Sequence, residues 1–285
     1  MTLSAFAPAK VNLFLHVGAP GDDGYHPICS LMAFADVGDV VAVQPAETPS
    51  IEVTGPFAES LVGEDNLVVR AATALLRAAR RPVPPFRLIL DKRLPVAAGL
   101  GGGSSDAGAA LRLLRDAVAL DIADETLEAI AESLGADGVA CLWGRTTMAE
   151  GRGEQLSAAP RMPVLDAVLV NPGVGSSTAE VYRAYDKSGA ADRPNLPDSL
   201  DSAEEAAAYL SLCRNDLEAP AVALNPVIGE VLETLRGEPE TLLARMSGSG
   251  ATCFALCASD IEAEGLAERL EAMRPGWWIR RCRLG

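Results

Sequence analysis

Residues 94–107 read Leu-Pro-Val-Ala-Ala-Gly-Leu-Gly-Gly-Gly-Ser-Ser-Asp-Ala, and this stretch decides the fold. Its four glycines fall within five positions, 99–103, where the missing Cβ permits positive φ and close approach of a ligand to the backbone. Apolar residues then recur at helical spacing from Ala107 to Leu120, and Ser104, Ser105 and Asp106 stand where a cap and a first turn belong. The stretch therefore predicts a glycine loop that leads into a helix N-terminus, which suits phosphate.

Two common phosphate-binding motifs do not match this loop. A Walker A loop needs a Gly-Lys pair, which the chain lacks. A dinucleotide fingerprint needs G-x-G-x-x-G, but the position that the third glycine would take is Ser104, so a nicotinamide-dependent dehydrogenase is disfavoured. A glycine cluster alone fits a tight turn with a helix cap about as well as it fits a ligand loop. The function must therefore be argued from further stretches.

Composition limits the class of protein. A chain of 285 residues predicts two domains, which we place at residues 1–154 and 155–285, the second a small α+β sandwich. A net charge of −15 argues against nucleic acid and anionic membranes as partners, because both attract positive surfaces. The six cysteines are scattered without a C-x-x-C pair, and we recognise neither a signal peptide nor a membrane span. We therefore expect a cytoplasmic protein with reduced thiols.

Polar residues interrupt several predicted elements. Residues 5–17 show the two-residue alternation of a strand, with Lys10 and Asn12 on one face. The simplest interpretation of Lys10 is a solvent-exposed lysine on an edge strand. Because the chain has only three lysines, one within an apolar strand is nevertheless a candidate functional residue. Strands at 28–35 and 39–44 are predicted, with a turn at 38–39, and Asn66 is a plausible helix N-cap. Asp137 follows a predicted helix end at Gly135, a position typical of a turn or of the next cap.

Three stretches together resemble the three motifs of the GHMP kinase superfamily, which includes galactokinase, homoserine kinase, mevalonate kinase and phosphomevalonate kinase. They are Ala-Pro-Ala-Lys-Val-Asn-Leu at 7–13, the glycine loop at 95–105 and Ser-Gly-Ser-Gly-Ala at 247–251. Within the superfamily, the chain is most similar to the branch that phosphorylates a cytidine-diphosphate-bearing methylerythritol in the non-mevalonate (methylerythritol phosphate) route to isoprenoid precursors. The shorter stretches that carry this likeness are Asp-Gly-Tyr-His at 23–26, Glu-Asp-Asn-Leu-Val-Val-Arg-Ala at 64–71, Asp-Lys-Arg-Leu-Pro at 91–95, Leu-Gly-Ala-Asp at 134–137, Ala-Glu-Gly-Arg-Gly-Glu at 149–154 and Arg-Asn-Asp-Leu-Glu at 214–218.

The resemblance implies a fold. It is an α+β, two-domain fold with an N-terminal ATP-binding domain like the second domain of ribosomal protein S5. The C-terminal domain is a ferredoxin-like α/β sandwich, and the active-site cleft is expected between the two domains. The resemblance also implies a monomer or a weak homodimer that acts on a small molecule.

Roles for individual residues follow from the same resemblance. It implies that ATP donates its γ-phosphoryl group to the 2-hydroxyl of the acceptor, with Lys10 and Asp137 as the catalytic pair. The acceptor is expected to contact Asn12, with its cytosine stacked between Tyr25 and Tyr182 and read at its edge by His26. The residues expected to contact ATP are Asn66 near the adenine and Pro95, Val96, Ala97, Ala98, Gly99, Leu100, Gly101, Gly102, Gly103, Ser104 and Ser105 around the phosphates; Gly248, Ser249 and Gly250 are expected to approach the acceptor. Mg²⁺ is expected with ATP, without an assigned protein ligand.

The chain departs from the family pattern after Asp137, where Gly138-Val139 replaces the usual Val-Pro. Two alternatives stay open. The first is another small-molecule kinase, of the homoserine or mevalonate type; the acceptor of such a kinase has no base that could stack on Tyr25-His26. A non-catalytic nucleotide-binding protein on the same fold is disfavoured because both Lys10 and Asp137 are present.

Overall fold

The structure is a computed structural model that describes residues 2–61, 66–79, 81–185 and 191–285. Within them the strands are β1 Leu3–Val17, β2 Ile28–Pro45, β3 Ser50–Thr54, β4 Phe86–Asp91, β5 Thr147–Gly151, β6 Gln155–Ala158, β7 Leu165–Asn171, β8 Leu243–Met246, β9 Cys253–Leu256 and β10 Trp278–Leu284. The α-helices are α1 Leu67–Ala78, α2 Gly102–Ala117, α3 Asp124–Leu134, α4 Gly138–Trp143, α5 Thr178–Ala184, α6 Ala203–Ser211, α7 Glu218–Leu224, α8 Pro226–Gly237 and α9 Asp260–Met273. No helix in these ranges is both long and apolar enough to span a bilayer.

The chain divides into two compact units that are each discontinuous in sequence. The first unit contains the residues up to Lys10, Gly38–Val96 and Gly101–Gly144; the second contains Val11–Val37, Ala97–Leu100 and Arg145–Gly285. The strands β1 and β2 and the glycine loop contribute residues to both units. The linear division at residue 154, which falls between β5 and β6 in the second unit, stays a prediction.

The first unit packs helices on a small sheet. The strand β4 pairs in parallel with β3 and antiparallel with β2, and its alternate residues Phe86, Leu88 and Leu90 are buried. The helix α1 begins after Asn66, whose Oδ1 accepts a hydrogen bond from the Val68 N–H at 2.9 Å. Burial of apolar side chains from the sheet and from the helices is the main favourable term in folding this unit. Fully or almost fully buried leucines in this core include Leu75, Leu90, Leu111, Leu114 and Leu127.

The second unit is an antiparallel sheet with helices packed on it. The strand β7 lies between β10 and β9, and β8 pairs with the far side of β9. The helix α9 contacts β7 and β10, whereas α8 contacts β8 and β9. Buried valines and leucines run along β7, as expected for a central strand covered by helices. The mixed α+β fold class predicted from the sequence is confirmed.

Two local predictions were wrong, and glycines explain both. The segment 28–45 is one strand without a turn at Gly38: a Cβ at Gly38 would lie 2.2 Å from the Ala7 carbonyl oxygen, so the glycine allows β1 to approach. The helix α2 begins at Gly102 after Gly101, which has φ 61° and makes no side-chain cap hydrogen bond. Ser104, Ser105 and Asp106 therefore lie inside the helix and do not cap it.

Candidate active site

The first unit brings Lys10 and Asp137 together. Lys10 lies on β1 and is only 3% exposed, and its Nζ lies 3.0 Å from Asp137 Oδ2. Asp137 precedes α4 at φ −79° and ψ 0°, yet its side chain makes no cap hydrogen bond. About a third of the Asp137 side chain, 30%, is exposed. The carboxylate is thus held by a buried ammonium group while one side remains accessible.

Close backbone contacts support this pair. A Cβ at Gly101 would lie 3.1 Å from Lys10 Cε, so the end of the glycine loop packs on the aliphatic stem of the lysine. A Cβ at Gly138 would lie 1.9 Å from the Ala131 carbonyl oxygen. The glycine that departs from the family pattern therefore lets the first turn of α4 approach α3. The close packing of α4 on α3 therefore explains the glycine at position 138, which the sequence alone did not.

The glycine loop has the backbone expected of a phosphate-binding segment. Ala97, Gly99 and Gly101 all have positive φ, at 50°, 74° and 61°. Gly102 opens the 16-residue helix α2, whose first N–H groups have no partner within the helix. The Ser105 Oγ is buried at the start of this helix without a hydrogen-bond partner among the described residues. These features fit a polyphosphate at this end of α2.

The second glycine loop, residues 247–252, joins β8 to β9 in the second unit. Its Ser247 Oγ accepts a hydrogen bond from the Asn12 N–H at 3.1 Å and donates one to the Gly99 carbonyl at 2.9 Å. The Thr252 N–H donates to the Ala98 carbonyl at 3.1 Å. The part of the first loop that belongs to the second unit, Ala97–Leu100, therefore contacts the second glycine loop.

Two amide side chains also reach the second glycine loop. The Asn12 Nδ2 donates to Ser30 Oγ at 2.7 Å, and its Oδ1 faces Gly248, where a Cβ would lie 3.1 Å away. Asn215 donates from Nδ2 to the carbonyls of Met246 and Gly248, both at 2.8 Å. Asn215 belongs to the Arg-Asn-Asp-Leu-Glu stretch, and its contact with the loop was not anticipated from the sequence.

Aromatic residues predicted to bind cytosine lie in the second unit. The rings of His26 and Tyr182 are 5.4 Å apart at 45°, and His26 Nδ1 lies 2.7 Å from the Gly18 carbonyl oxygen. Tyr25 is 59% exposed and lies under the Arg152 guanidinium group at 4.2 Å. Tyr185, which sequence reasoning missed, packs edge-on against His26 and donates from its hydroxyl to the Val17 carbonyl. The unit therefore pairs His26 with two tyrosines and leaves Tyr25 accessible.

A buried charge cluster near the glycine loop was also missed. Lys92, Asp39 and Asp106 form it, all three in the first unit. The sequence pattern predicts a turn at Asp39 and the first turn of a helix at Asp106, and neither prediction places them together. The scarcity of lysine and the Asp-Lys-Arg-Leu-Pro stretch were the available signals for Lys92.

No metal centre emerges from the described ranges, in which no group of three or more His, Cys, Asp or Glu side chains is placed to hold an ion. All six cysteines are buried thiols. Burial, with a smaller contribution from the charge of Asp137, raises the pKa of Cys141, beside the Lys10–Asp137 pair, to about 12. This thiol is therefore protonated and unreactive at neutral pH.

Comparison with known proteins bears on both units. Models of the GHMP kinases N terminal domain and of the GHMP kinases C terminal domain match residues 66–145 and 196–275. A protein of Caulobacter vibrioides (strain NA1000 / CB15N), named 4-diphosphocytidyl-2-C-methyl-D-erythritol kinase, is 70% identical and covers 100% of both chains. A protein of the same name from Hyphomonas neptunium is 47% identical over 100% of this chain and 97% of its own length.

Solved structures agree with these relatives. A crystal structure of 4-(cytidine 5'-diphospho)-2C-methyl-D-erythritol kinase superposes with a TM-score of 0.79 at 35% identity, covering 99% of each chain. Homoserine kinase from Cytophaga hutchinsonii superposes with a TM-score of 0.69 at 17% identity over 98% of this chain and 94% of its own, which shows the shared fold alone.

These matches, with the paired Lys10 and Asp137 and the glycine loop, define the class: the chain belongs to the GHMP kinase family and is an ATP-dependent small-molecule kinase. The full-length relatives from Caulobacter vibrioides and Hyphomonas neptunium are named 4-diphosphocytidyl-2-C-methyl-D-erythritol kinases, and the resemblance predicted from the motifs is confirmed.

Proposed function

We propose that this protein transfers the γ-phosphoryl group of ATP to the 2-hydroxyl of 4-diphosphocytidyl-2-C-methyl-D-erythritol, giving the 2-phosphate and ADP. The product belongs to the non-mevalonate route to isoprenoid precursors. The observation that carries the proposal is the distance of 3.0 Å between Lys10 Nζ and a partly exposed Asp137 carboxylate, in a chain 70% identical to kinases of that name.

The chemistry assigns a role to each member of the pair. The acceptor is a tertiary alcohol, a hindered and weak nucleophile that gains from a base within reach of its proton. Asp137 accepts that proton through its exposed side. Lys10 orients the carboxylate and stabilises charge on the phosphoryl group as it moves, because phosphoryl transfer depends mainly on positioning and on electrostatic stabilisation.

Binding of ATP is assigned to the glycine loop. The positive φ angles at Gly99 and Gly101 let backbone N–H groups face the phosphates, and the N-terminus of α2 favours their negative charge. Asn66 is assigned to the adenine, although its side chain also caps α1. Mg²⁺ is expected with ATP and would neutralise phosphate charge there; no protein ligand is assigned to it.

Recognition of the acceptor is assigned to the second unit. Tyr25 and Tyr182 would stack on cytosine, and His26 would read the edge of the base. Asn12 and the loop residues Gly248, Ser249 and Gly250 would hold the rest of the acceptor. The expectation of a monomer or weak homodimer stays a prediction.

The experiment is an ADP-release assay with four conditions: the cytidyl-methylerythritol substrate, homoserine, mevalonate and no acceptor. We expect turnover above background with the cytidyl substrate alone. Turnover with homoserine or mevalonate instead would assign another small-molecule kinase, and no turnover with any acceptor would support a non-catalytic nucleotide-binding protein.

A variant of Tyr25 tests base recognition in the same assay. Because stacking on an aromatic ring contributes about 1–3 kcal/mol per base, Tyr25→Ala should raise KM for the cytidyl substrate about tenfold or more and leave KM for ATP unchanged. Tyr25→Phe, which keeps the ring, is the matched control and should stay near wild type. Equal changes in both KM values would contradict the stacking role.

A further inference from the structure

The charge cluster of Lys92, Asp39 and Asp106, which we call the lysine clamp, has no role in the proposed reaction. The Lys92 Nζ lies 2.6 Å from Asp39 Oδ2 and 2.7 Å from Asp106 Oδ2. Each of the three side chains is at most 3% exposed. No substrate reaches these groups, so their contacts must act on the protein itself.

The clamp holds the chain at both ends of the glycine loop. On the entry side, Asp39 Oδ1 accepts hydrogen bonds from the Arg93 and Leu94 N–H groups at 2.5 and 2.8 Å, directly before Pro95. On the exit side, Asp106 lies in the second turn of α2, which begins at Gly102. The ammonium group thus joins the segment before the loop to the helix after it.

The surrounding backbone fixes the lysine and leaves room for it. The Lys92 N–H donates to the Thr54 carbonyl at 2.8 Å, and its carbonyl accepts from the Phe57 N–H at 3.1 Å. A Cβ at Gly102 would lie 3.0 Å from Lys92 Nζ. Gly102, the second of three consecutive glycines, therefore lacks a side chain on the side of the clamp, where the ammonium group passes over the start of α2.

The charges of the clamp are costly for stability alone. Two carboxylates face one ammonium group, and Asp106 Oδ1 is buried without a hydrogen-bond partner among the described residues. Replacement of buried ion pairs by well-packed apolar side chains is often neutral or stabilising. A buried cluster with an excess carboxylate suggests a requirement for a defined geometry at this place.

We propose that Asp39, Lys92 and Asp106 are positioning residues that keep the glycine loop ordered before ATP binds. The proposal rests on the proposed function, in which this loop holds the phosphates of ATP. If the loop has its ATP-binding conformation for only a fraction of the time, the apparent Kd for ATP equals the intrinsic Kd divided by that fraction. Loss of a clamp contact should therefore weaken ATP binding and leave binding of the acceptor unaffected.

Asp106→Asn, measured at a pH above the pKa of the Asp106 carboxyl, is the main test, because the change is isosteric and removes one charge there. Its matched control is Asp116→Asn, the same substitution in the last turn of α2 on an exposed side chain. Hydrogen exchange of the amides of residues 97–104 is measured without any nucleotide, with α1 as the internal reference. In Asp106→Asn we expect exchange in the loop to be about tenfold faster than in wild type, because a hydrogen bond to a charged group contributes roughly that factor or more. In the Asp116→Asn control we expect the wild-type rate.

Kinetics provide the second readout. In the Asp106→Asn variant KM for ATP should rise about tenfold while KM for the acceptor stays within about twofold. Wild-type exchange rates in the loop would overturn the proposal, and so would acceleration of the same size in α1, which would indicate a general loss of stability. A wild-type protein without kinase activity, but with a loop that loosens in Asp106→Asn, would refute the proposed function and leave the clamp standing.

Discussion

Two buried lysines in the first unit each contact aspartate, but their partners differ in exposure. Lys10 lies beside the carboxylate of Asp137, which keeps 30% of its side chain accessible. Lys92 lies beside the carboxylates of Asp39 and Asp106, which are 0% and 3% accessible. An accessible carboxylate can take a proton from a bound molecule, whereas an inaccessible one can act only on its own chain. The same pair of residue types therefore suits catalysis in one place and positioning in the other.

The largest expected effect is a loss of stability when the ammonium group of Lys92 is removed. Lys92→Met leaves two buried carboxylates without their countercharge, and removal of one partner of a buried ion pair costs about 3–5 kcal/mol. We expect a fall of that size in the free energy of unfolding, measured by urea denaturation. The double variant Lys92→Met/Asp106→Asn should recover part of it, because one of the two charges is gone.

Lys10→Met is the control for that measurement. Its partner Asp137 is partly hydrated, so the carboxylate left behind should cost clearly less than those left by Lys92→Met. Equal losses in the two variants would contradict the claim that exposure of the carboxylate distinguishes the pairs.

The second effect concerns turnover. Asp137→Asn removes the proposed base and should lower kcat by about 10² or more. Lys10→Ala should lower kcat by a similar factor. Steady-state ADP release measures both, with Asp116→Asn as the surface control; near-wild-type turnover in Asp137→Asn would exclude it as the base.

The third effect is a dependence of stability on pH. Burial raises the pKa of the Asp106 carboxyl to about 7, with Asp39 acting in the same direction and Lys92 opposing it. The folded protein therefore binds a proton that the unfolded chain has released, so this group's contribution to stability is full below about pH 4 and is lost as pH rises toward 7. Denaturation at several pH values should show a decline in wild type that is weaker in Asp106→Asn.

His16 titrates in an overlapping range with the opposite sign. Burial lowers the pKa of this histidine, so its contribution is lost as pH falls below the ordinary value. Because both proteins contain His16, the difference between wild type and Asp106→Asn isolates the aspartate. Parallel pH profiles for the two proteins would show that Asp106 does not titrate in this window.

Most of the fold was predictable because its signals are local. The strand at residues 5–17 and the cap at Asn66 depend on neighbouring residues, and the structure shows both, as β1 and as the N-cap of α1. The turn at Gly38 was wrong because that glycine is required by Ala7, which is distant in sequence. Pattern reasoning cannot distinguish a glycine that turns the chain from one that admits another strand.

The candidate site divides in the same way. The glycine loop and the likeness of Lys10 and Asp137 to family motifs were visible, because each is a short stretch of sequence. The lysine clamp was not, because Asp39, Lys92 and Asp106 are contributed by three separate segments and meet only in the folded chain. Two acids and one base at such separations resemble ordinary surface charges until burial is known.

The smallest expected effect comes from an ion pair that is exposed on both sides. Arg87 on β4 and Glu52 on β3 lie 3.3 Å apart, with side chains 46% and 51% exposed. Both groups are hydrated when the pair breaks, so Glu52→Gln should change the free energy of unfolding by less than about 1 kcal/mol, and less still at high salt. Urea denaturation at low and high ionic strength measures this. If Glu52→Gln cost as much as Lys92→Met, exposure would not determine what an ion pair contributes in this unit, and the distinction between the Lys10–Asp137 pair and the clamp would lose its physical basis.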